Sequence, residues 1–172
     1  MGFELDAVKP GVSLRVQGKT VHCPQDPIII PGIATGDALD ALDVVGGKFV
    51  IEVPRSGYIL GARFYDLSDQ GSAIRLHLFN RDLTPAANDA AWSPTDYEVI
   101  HELYVLTFQS NFEDEINSQF STVLDLWPYS APEGKLYCVL TTPAASTPTY
   151  TSPGEPRIQL IIASDDPEWE ER

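Results

Sequence analysis

The side chains that could bind a metal or move a proton are few, and their spacing matches no compact metal motif. The three histidines lie far apart in the sequence, at His22, His77 and His101. His101 and Glu102 resemble the start of a zinc-protease helix, but Val105 stands where the second histidine ligand is required. His77 alternates with apolar residues, so we expect it to fill an ordinary surface or cross-strand position. We therefore expect no metal site.

Carboxylates offer a second possible chemistry, cation binding. Residues 66–71 (Asp-Leu-Ser-Asp-Gln-Gly) lack the spacing and the bidentate glutamate of an EF-hand loop. We interpret them as a polar turn, because Asp, Ser and Gly are common turn residues. Residues 111–115 are predicted to be a solvated acidic loop. Asp37, Asp40 and Asp43 would share one face only if that stretch formed a helical turn.

Motifs for nucleophilic catalysis and phosphate binding are missing from the sequence. No G-x-S-x-G pattern occurs, and residues 45–48 (Val-Gly-Gly-Lys) lack the flanking spacing of a P-loop. Chance pairs among the 25 acidic residues carry no weight as glycosidase sites without geometry. Cys23 and Cys138 could form one long-range disulfide, but a chain without a secretion signal is expected to keep both as buried thiols. We expect a protein that is not an enzyme, with no catalytic, cofactor-binding or metal-binding residues.

The composition indicates one acidic globular domain with enough apolar residues for a core. The chain has 172 residues, with 11 basic and 25 acidic side chains and a net charge of −14. Its content of 43% hydrophobic and 10% aromatic residues excludes a disordered acidic tail. The scattered single cations argue against nucleic-acid binding, which requires clustered Lys and Arg. No signal-peptide pattern and no apolar run of membrane-span length is present, so we expect neither secretion nor membrane insertion.

The elements that must position these residues are strands, because the hydrophobic pattern alternates with a period of two. It predicts an all-β fold, an antiparallel β-sandwich that is jelly-roll-like, with long Pro-rich loops. One short helix is predicted from Ser93 as N-cap, with Pro94 at its first position, to about Glu102. The predicted strands cover residues 48–53, 58–66, 74–79, 104–108, 122–127, 136–141 and 157–164. In the second of these strands, one face is predicted to carry Tyr58, Leu60, Ala62 and Phe64.

The two ends of the chain are predicted to lie outside the sandwich domain, which spans residues 37–164. Residues 1–36 are expected to form an extended N-terminal arm that includes a small hairpin near residues 12–22. Residues 24–36 are too rich in proline and glycine for an ordinary strand interior. Residues 165–172 are interpreted as a solvated acidic tail.

Aromatic side chains leave a binding function open. Several rings could form the flat platform of a carbohydrate-binding sandwich, although rings are also common in cores and subunit interfaces. The candidate rings are Trp92, Tyr97, Trp127, Tyr129 and Trp169. A carbohydrate-binding module is therefore the second class of function that the sequence allows.

A strand, a loop and a short motif follow one another in the middle of the chain. Residues 74–80 (Ile-Arg-Leu-His-Leu-Phe-Asn) precede residues 88–92 (Asn-Asp-Ala-Ala-Trp) and residues 93–96 (Ser-Pro-Thr-Asp). This series resembles a group of tailed-phage virion structural proteins that includes capsid decoration (cement) and minor head proteins. Residues 57–66 fit the strand that normally precedes it, and the similarity covers about residues 48–140. The tryptophan of the motif stands where phenylalanine is commoner.

The resemblance implies a structural role on a phage head. We expect a capsid decoration protein that binds the major capsid protein on the outside of the shell and associates with itself as a homotrimer. Residues 1–36 are the expected capsid-contacting or subunit-swapping arm. The acidic charge favours the capsid exterior, because packaged phosphate would repel a protein of charge −14. Assembly in the host cytoplasm is expected, and a tail or neck location is the alternative.

Overall fold

The computed structural model describes the chain at residues 2–6, 13–17, 19–33, 36, 38–109, 113–115, 118–144, 146–152 and 154–164. Within these ranges the chain forms eleven strands and one short helix. The strands are β1 (Gly2–Asp6), β2 (Ser13–Gln17), β3 (Lys19–Ile29), β4 (Phe49–Glu52), β5 (Ser56–Asp66), β6 (Ile74–Phe79), β7 (Glu102–Phe108), β8 (Glu113–Glu115), β9 (Ser118–Ser130), β10 (Lys135–Thr141) and β11 (Pro156–Ser164). The helix α1 (Asp96–Val99) lies between β6 and β7.

Two antiparallel sheets form a β-sandwich around one main core, which confirms the all-β sandwich predicted from the sequence. The smaller sheet has the strand order β4-β10-β6-β7, and the larger sheet has the order β3-β11-β5-β9-β8. Inward-facing side chains of both sheets make the core, for example Ile51, Phe64, Leu76 and Leu160. Burial of these apolar rows against each other is the main stabilisation of such a fold. β1 and β2 pair with each other in a separate two-stranded sheet.

The strand pairings of the sandwich are nested. β3 pairs with β11, β4 with β10, β5 with β9 and β6 with β7. The outermost pair in the sequence thus encloses the next pair, and so on inward to β6 and β7. Pairing of β11 with β5 and of β10 with β6 completes the two sheets. This nesting places residues that are far apart in sequence side by side on one sheet face.

All seven strands predicted from the alternation are present, but the N-terminal segment is arranged differently from the prediction. β2 pairs with β1, whereas the sequence pattern suggested a hairpin with residues 20–22. Those residues belong to β3, which continues through Pro24 and Pro27 and pairs with β11 in the larger sheet. A strand tolerates these prolines because β3 is at the sheet edge, where one row of backbone groups needs no partner. The predicted tail, residues 165–172, lies outside the described ranges.

The helix is shorter than predicted and begins later. Thr95, not Ser93, is the N-cap: its hydroxyl accepts a hydrogen bond from the Glu98 N–H, and the Glu98 carboxylate accepts one from the Thr95 N–H. This capping box fixes the start of α1, because both backbone donors gain a partner there. The chain returns to strand structure at Glu102, so the helix ends at Val99.

A β-bulge in β5 changes which side chains face the core. The registers with β9 and with β11 both shift next to Leu60. Ile59, Ala62 and Phe64 are buried, while Tyr58 and Leu60 are half-buried. The prediction that Tyr58 and Leu60 share a face with Ala62 and Phe64 is therefore wrong, because one extra residue reverses the side on which later residues point.

Gly61→Ala is expected to destabilise the sandwich. A Cβ added at Gly61 would lie 2.3 Å from the backbone oxygen of Val123 in β9, which is closer than real contacts allow. We expect the free energy of unfolding to fall by about 2–4 kcal/mol, measured by urea denaturation. Gly47→Ala is the control, because its Cβ would meet its nearest neighbour, the Pro31 oxygen, at 3.5 Å. Equal stability of the two variants would contradict this view of the contact between β5 and β9.

Candidate functional site

A second apolar cluster covers the outer face of the smaller sheet. It contains Phe79 of β6 and Val139 of β10, which lie outside the main core, together with Val44 and Leu83 from loops. The partly buried side chains around it are Ala86, Trp92 and Tyr137. The smaller sheet thus has apolar side chains on both faces. A loop has to shield the outer face from water, because leaving these groups hydrated would cost free energy.

The loop that covers this face is residues 80–95, between β6 and α1. Within it, residues 88–92, here called the strap, lie alongside residues 42–46 and form hydrogen bonds with them. The Asp89 N–H donates to the Val44 oxygen at 3.0 Å, and Asn88 Oδ1 accepts from a backbone N–H of residues 42–46 at 2.6 Å. Asp89 has a φ of 59°, a left-handed conformation that Asp and Asn tolerate better than most residues. The Asn-Asp pair of the motif therefore turns the chain and attaches it to the neighbouring loop.

The strap places Trp92 against His77, and the His77 ring links three strands. The ring centroids of Trp92 and His77 are 5.3 Å apart in an edge-to-face arrangement. His77 Nδ1 lies 2.6 Å from Oε1 of Glu102 in β7, and Nε2 lies 2.9 Å from Oγ1 of Thr141 in β10. Because a carboxylate only accepts, Nδ1 carries the proton, and Nε2 of the neutral ring accepts from the Thr141 hydroxyl. The cross-strand role predicted for His77 is confirmed.

The order Glu102, His77, Thr141 is that of an acid, a base and a hydroxyl nucleophile, but the surroundings are those of a structural link. Thr141 is only 4% exposed, and the side chains of His77 and Glu102 are 14% and 20% exposed. Trp92 packs against the imidazole, so the hydroxyl is closed off from a substrate in this conformation. Burial lowers the pKa of His77, the Glu102 carboxylate partly opposes this shift, and the charge of Arg75 adds to it.

Trp92 also lines a groove of about 370 Å³. Its lining combines two aromatic rings with hydroxyl and carboxylate side chains, which suits a small polar ligand. Tyr97 forms part of this lining and is 60% exposed, so its ring is accessible. An ion pair between Lys48 and Asp82 lies at the groove, and the Lys48 ammonium also donates to the Leu83 oxygen at 2.9 Å.

The five aromatic residues considered for a carbohydrate platform are not brought together. Trp92 and Tyr97 line the groove. Trp127 instead stacks on the ring of Tyr104 in β7, with ring centroids 5.2 Å apart, and Tyr129 is buried in the main core. Trp169 lies outside the described residues. The groove thus contains two of the predicted rings, and a wider platform is not formed by the part of the chain that the structure describes.

Residues 66–71 form a polar turn closed by Asp66, as predicted. The buried Asp66 carboxylate accepts from the Ser68 N–H at 3.2 Å, the Ser68 hydroxyl at 3.0 Å and the Gln70 N–H at 2.9 Å. Burial raises the pKa of Asp66, and these hydrogen bonds oppose the rise. Both carboxylate oxygens already have donors, so they are poorly placed to ligate a cation. Among the described residues, no group of three or more His, Cys, Asp or Glu side chains is arranged around a metal position.

The remaining candidate residues from the sequence are dispersed. The His101 ring lies 4.7 Å from the Tyr97 ring, away from the His77 link. The helical turn suggested for Asp40 and Asp43 is wrong: Asp43 accepts from the Asp40 N–H at 2.6 Å within a non-helical loop. Cys138 is a buried free thiol, and burial raises its pKa. Among these candidates, Asp37 and residues 111–112 lie outside the described part of the chain, as do the side chains of His22, Cys23 and residues 113–115.

Sequence reasoning missed Glu102 and Thr141 as partners of His77. Each lies on a different strand, and the contact depends on β6 being placed between β10 and β7. The signal in the sequence was the polar character of these two positions, each at the end of an apolar run. That signal does not say which strands are neighbours.

Comparisons with known proteins return no relative for this chain. No protein-family model matches it, and no curated protein or solved structure matches it. Among the described residues, no helix has the length and apolar character needed to cross a membrane.

The pH dependence of stability tests the His77 link. The pKa of His77 in the folded protein lies below its ordinary value, so the unfolded chain binds the proton more tightly. The contribution of His77 to the free energy of unfolding is therefore complete at a pH well above the ordinary histidine pKa of about 6.5. It is lost as the pH falls through that value. We expect the free energy of unfolding, measured by urea denaturation, to decrease between about pH 7.5 and pH 5.5.

His77→Gln separates this contribution from those of other groups. The variant is expected to lose about 1–3 kcal/mol of stability at neutral pH, because partners of a buried hydrogen-bonded group are left unsatisfied. It should also lose the part of the pH dependence that His77 causes. Ile100→Ala, outside the link and without a titratable side chain, is the control and should keep the wild-type slope. An unchanged slope in His77→Gln would assign the pH dependence to other groups.

Proposed function

We propose that this chain is a virion structural protein of a tailed phage, of the capsid decoration type. The observation that carries the proposal is the nested pairing of β3 with β11, β4 with β10, β5 with β9 and β6 with β7 across two sheets. This order fits a jelly roll, an architecture found in viral capsid proteins and in lectins. Because fold alone does not determine function, the phage assignment also depends on the resemblance of residues 74–96 to virion proteins.

The motif that carries the resemblance has an architectural use in this fold, which supports a structural role. Residues 88–92 form the strap over the smaller sheet, and Thr95 caps the short helix that follows. Its asparagine, aspartate and tryptophan thus make a turn, a loop attachment and a packing contact. These are the functions of a motif that maintains a shape.

The proposed partners are the major capsid protein and further copies of the chain, which the sequence analysis expects to form a homotrimer. The proposed place is the capsid exterior, because a charge of −14 is repelled by packaged nucleic acid. The shell contact is assigned to β1 and β2. These two strands pair with each other and belong to neither sheet of the sandwich, whereas β3 is part of the larger sheet.

Immunogold labelling of intact virions tests this proposal. An antibody raised against the purified chain is applied to particles of the phage that encodes it. Labelling distributed over the head is the expected result, and labelling confined to the tail or neck would replace decoration by the alternative location. Particles without label, and without the chain in their protein content by mass spectrometry, would overturn a virion role.

A variant without residues 2–17 tests the assigned shell contact on the same particles. It lacks β1 and β2 but keeps β3, so both sheets of the sandwich remain complete. We expect it to fold with wild-type thermal stability and to lose head binding. Retained binding would place the contact on the sandwich itself.

Carbohydrate binding is the second candidate function, and the groove beside Trp92 favours it. Two aromatic rings, Trp92 and Tyr97, lie in one groove with hydroxyl and carboxylate groups. Sugars bind proteins through this combination, since their C–H faces pack on rings and their hydroxyls need polar partners. The jelly-roll order is also found in lectins.

A glycan array followed by titration tests the groove. Binding in the millimolar range or tighter is the expected result for a lectin, and Tyr97→Ala should weaken it about tenfold or more. Ile100→Ala is the control, because Ile100 is 73% exposed close to Tyr97 in sequence but does not line the groove. Trp92→Ala should abolish binding as well, with its fold verified by circular dichroism because Trp92 also packs on Phe79. No binding to any glycan would remove this candidate.

A further inference from the structure

Three of the four edges of the two sandwich sheets carry features that oppose pairing with another chain. β3 contains Pro24 and Pro27. β4 has only four residues and is followed closely by Pro54. At the far end of the larger sheet, β8 has three residues, all acidic, and β9 beyond it carries a bulge and Pro128. Prolines, bulges, charges and short length all block the addition of a further strand to an exposed edge.

β7 forms the fourth of these edges and lacks such features, although at its start Tyr104 stacks on Trp127 of β9 and donates a hydrogen bond to the Pro128 oxygen at 2.7 Å. After a bulge next to Leu103, residues 104–108 (Tyr-Val-Leu-Thr-Phe) pair regularly with β6 on one side. No strand pairs with their other side within the described ranges of the chain. The segment has no proline, no glycine and no charged residue. Val105 is 42% exposed although it is apolar.

We propose that residues 104–108 pair antiparallel with the same residues of a second copy of this chain. The two smaller sheets then become one continuous sheet through backbone hydrogen bonds between the two β7 strands. A two-fold axis through the segment makes the contact self-complementary, which is the usual symmetry of a homodimer. This inference does not depend on the proposed function, and it replaces the homotrimer expected there by a pair of copies.

Charge is the reason that the occupant is a second copy. The chain carries 25 acidic residues, yet residues 104–108 have none. Two copies can therefore pair over this segment without placing like charges opposite each other. A basic partner strand would gain little there, because no carboxylate lies within the segment and the nearest acidic residue in the sequence, Glu102, lies beyond the Leu103 bulge.

Repulsion between the rest of the two chains makes the association weak and dependent on salt. Each copy carries a net charge of −14, and salt screens that repulsion. We expect a dimer dissociation constant on the order of 100 μM at moderate salt, as for a small interface. Raising the ionic strength from about 0.02 M to about 0.3 M should tighten the dimer about fivefold. Binding to a basic partner would respond in the opposite direction.

Sedimentation equilibrium of the full chain up to about 1 mM, at both salt concentrations, is the test. Val105→Lys is expected to weaken dimerisation at least about tenfold, because it places two ammonium groups close together at the new strand pair. Val50→Lys is the matched control and should dimerise like the wild type, since Val50 lies on β4, the opposite edge of the same sheet, and is 38% exposed.

Three results would overturn the proposal. They are a wild-type chain that stays monomeric at the highest concentration and salt, equal association of the Val105→Lys and Val50→Lys variants, and a trimer that Val105→Lys leaves intact. If Val105→Lys fails to fold, amide hydrogen exchange of the wild-type chain tests the strand pairing instead. Amides within residues 104–108 should become more protected as the concentration rises, and protection independent of concentration would contradict the pairing.

Discussion

The smaller sheet is apolar on both faces, and most of the molecule is arranged to keep both faces away from water. Ile74, Leu76 and Leu78 of β6 face the larger sheet, while Phe79 and the neighbouring Val139 face outward. The first set is buried by sheet-on-sheet packing. The second set has no sheet above it, so a loop has to cover it. The strap and the position of Trp92 follow from this requirement.

The alternating pattern was sufficient to predict the sandwich and seven of its strands, because each strand buries one face and the period of two is local information. The exceptions also have local causes. The prolines of β3 argued against a strand, yet they are tolerated at an edge, and edge position is a property of the whole sheet. Leu60 is an extra residue of β5 in its pairing with β11, and it reverses which face of β5 is buried. The sequence alternation before Leu60 gives no sign of this change.

The site was less predictable than the fold, because its contacts join strands that are neighbours only after folding. Glu102, His77 and Thr141 meet because β7, β6 and β10 lie side by side. A single sequence contains no information about that order beyond the polar character of the three residues. In contrast, the Asn88-Asp89 turn could be predicted, since these residue types favour turns and left-handed conformations. The motif that the sequence pointed out, residues 88–92, lies against the His77 link, which the sequence did not reveal. Trp92 of the motif makes this contact.

The uneven protection of the sheet edges determines how far an assembly of this chain can grow. A molecule with two open edges can add copies at both ends and polymerise, as amyloid-forming strands do. A sandwich with one open edge has a valence of one, so a single pairing uses that edge and growth through the two sandwich sheets stops at two copies. The other three edges of the sandwich sheets then oppose the addition of further strands. β3 does so by its prolines, β4 by its short length and β8 by its acidic residues. These features oppose the extension of the two sandwich sheets into fibres.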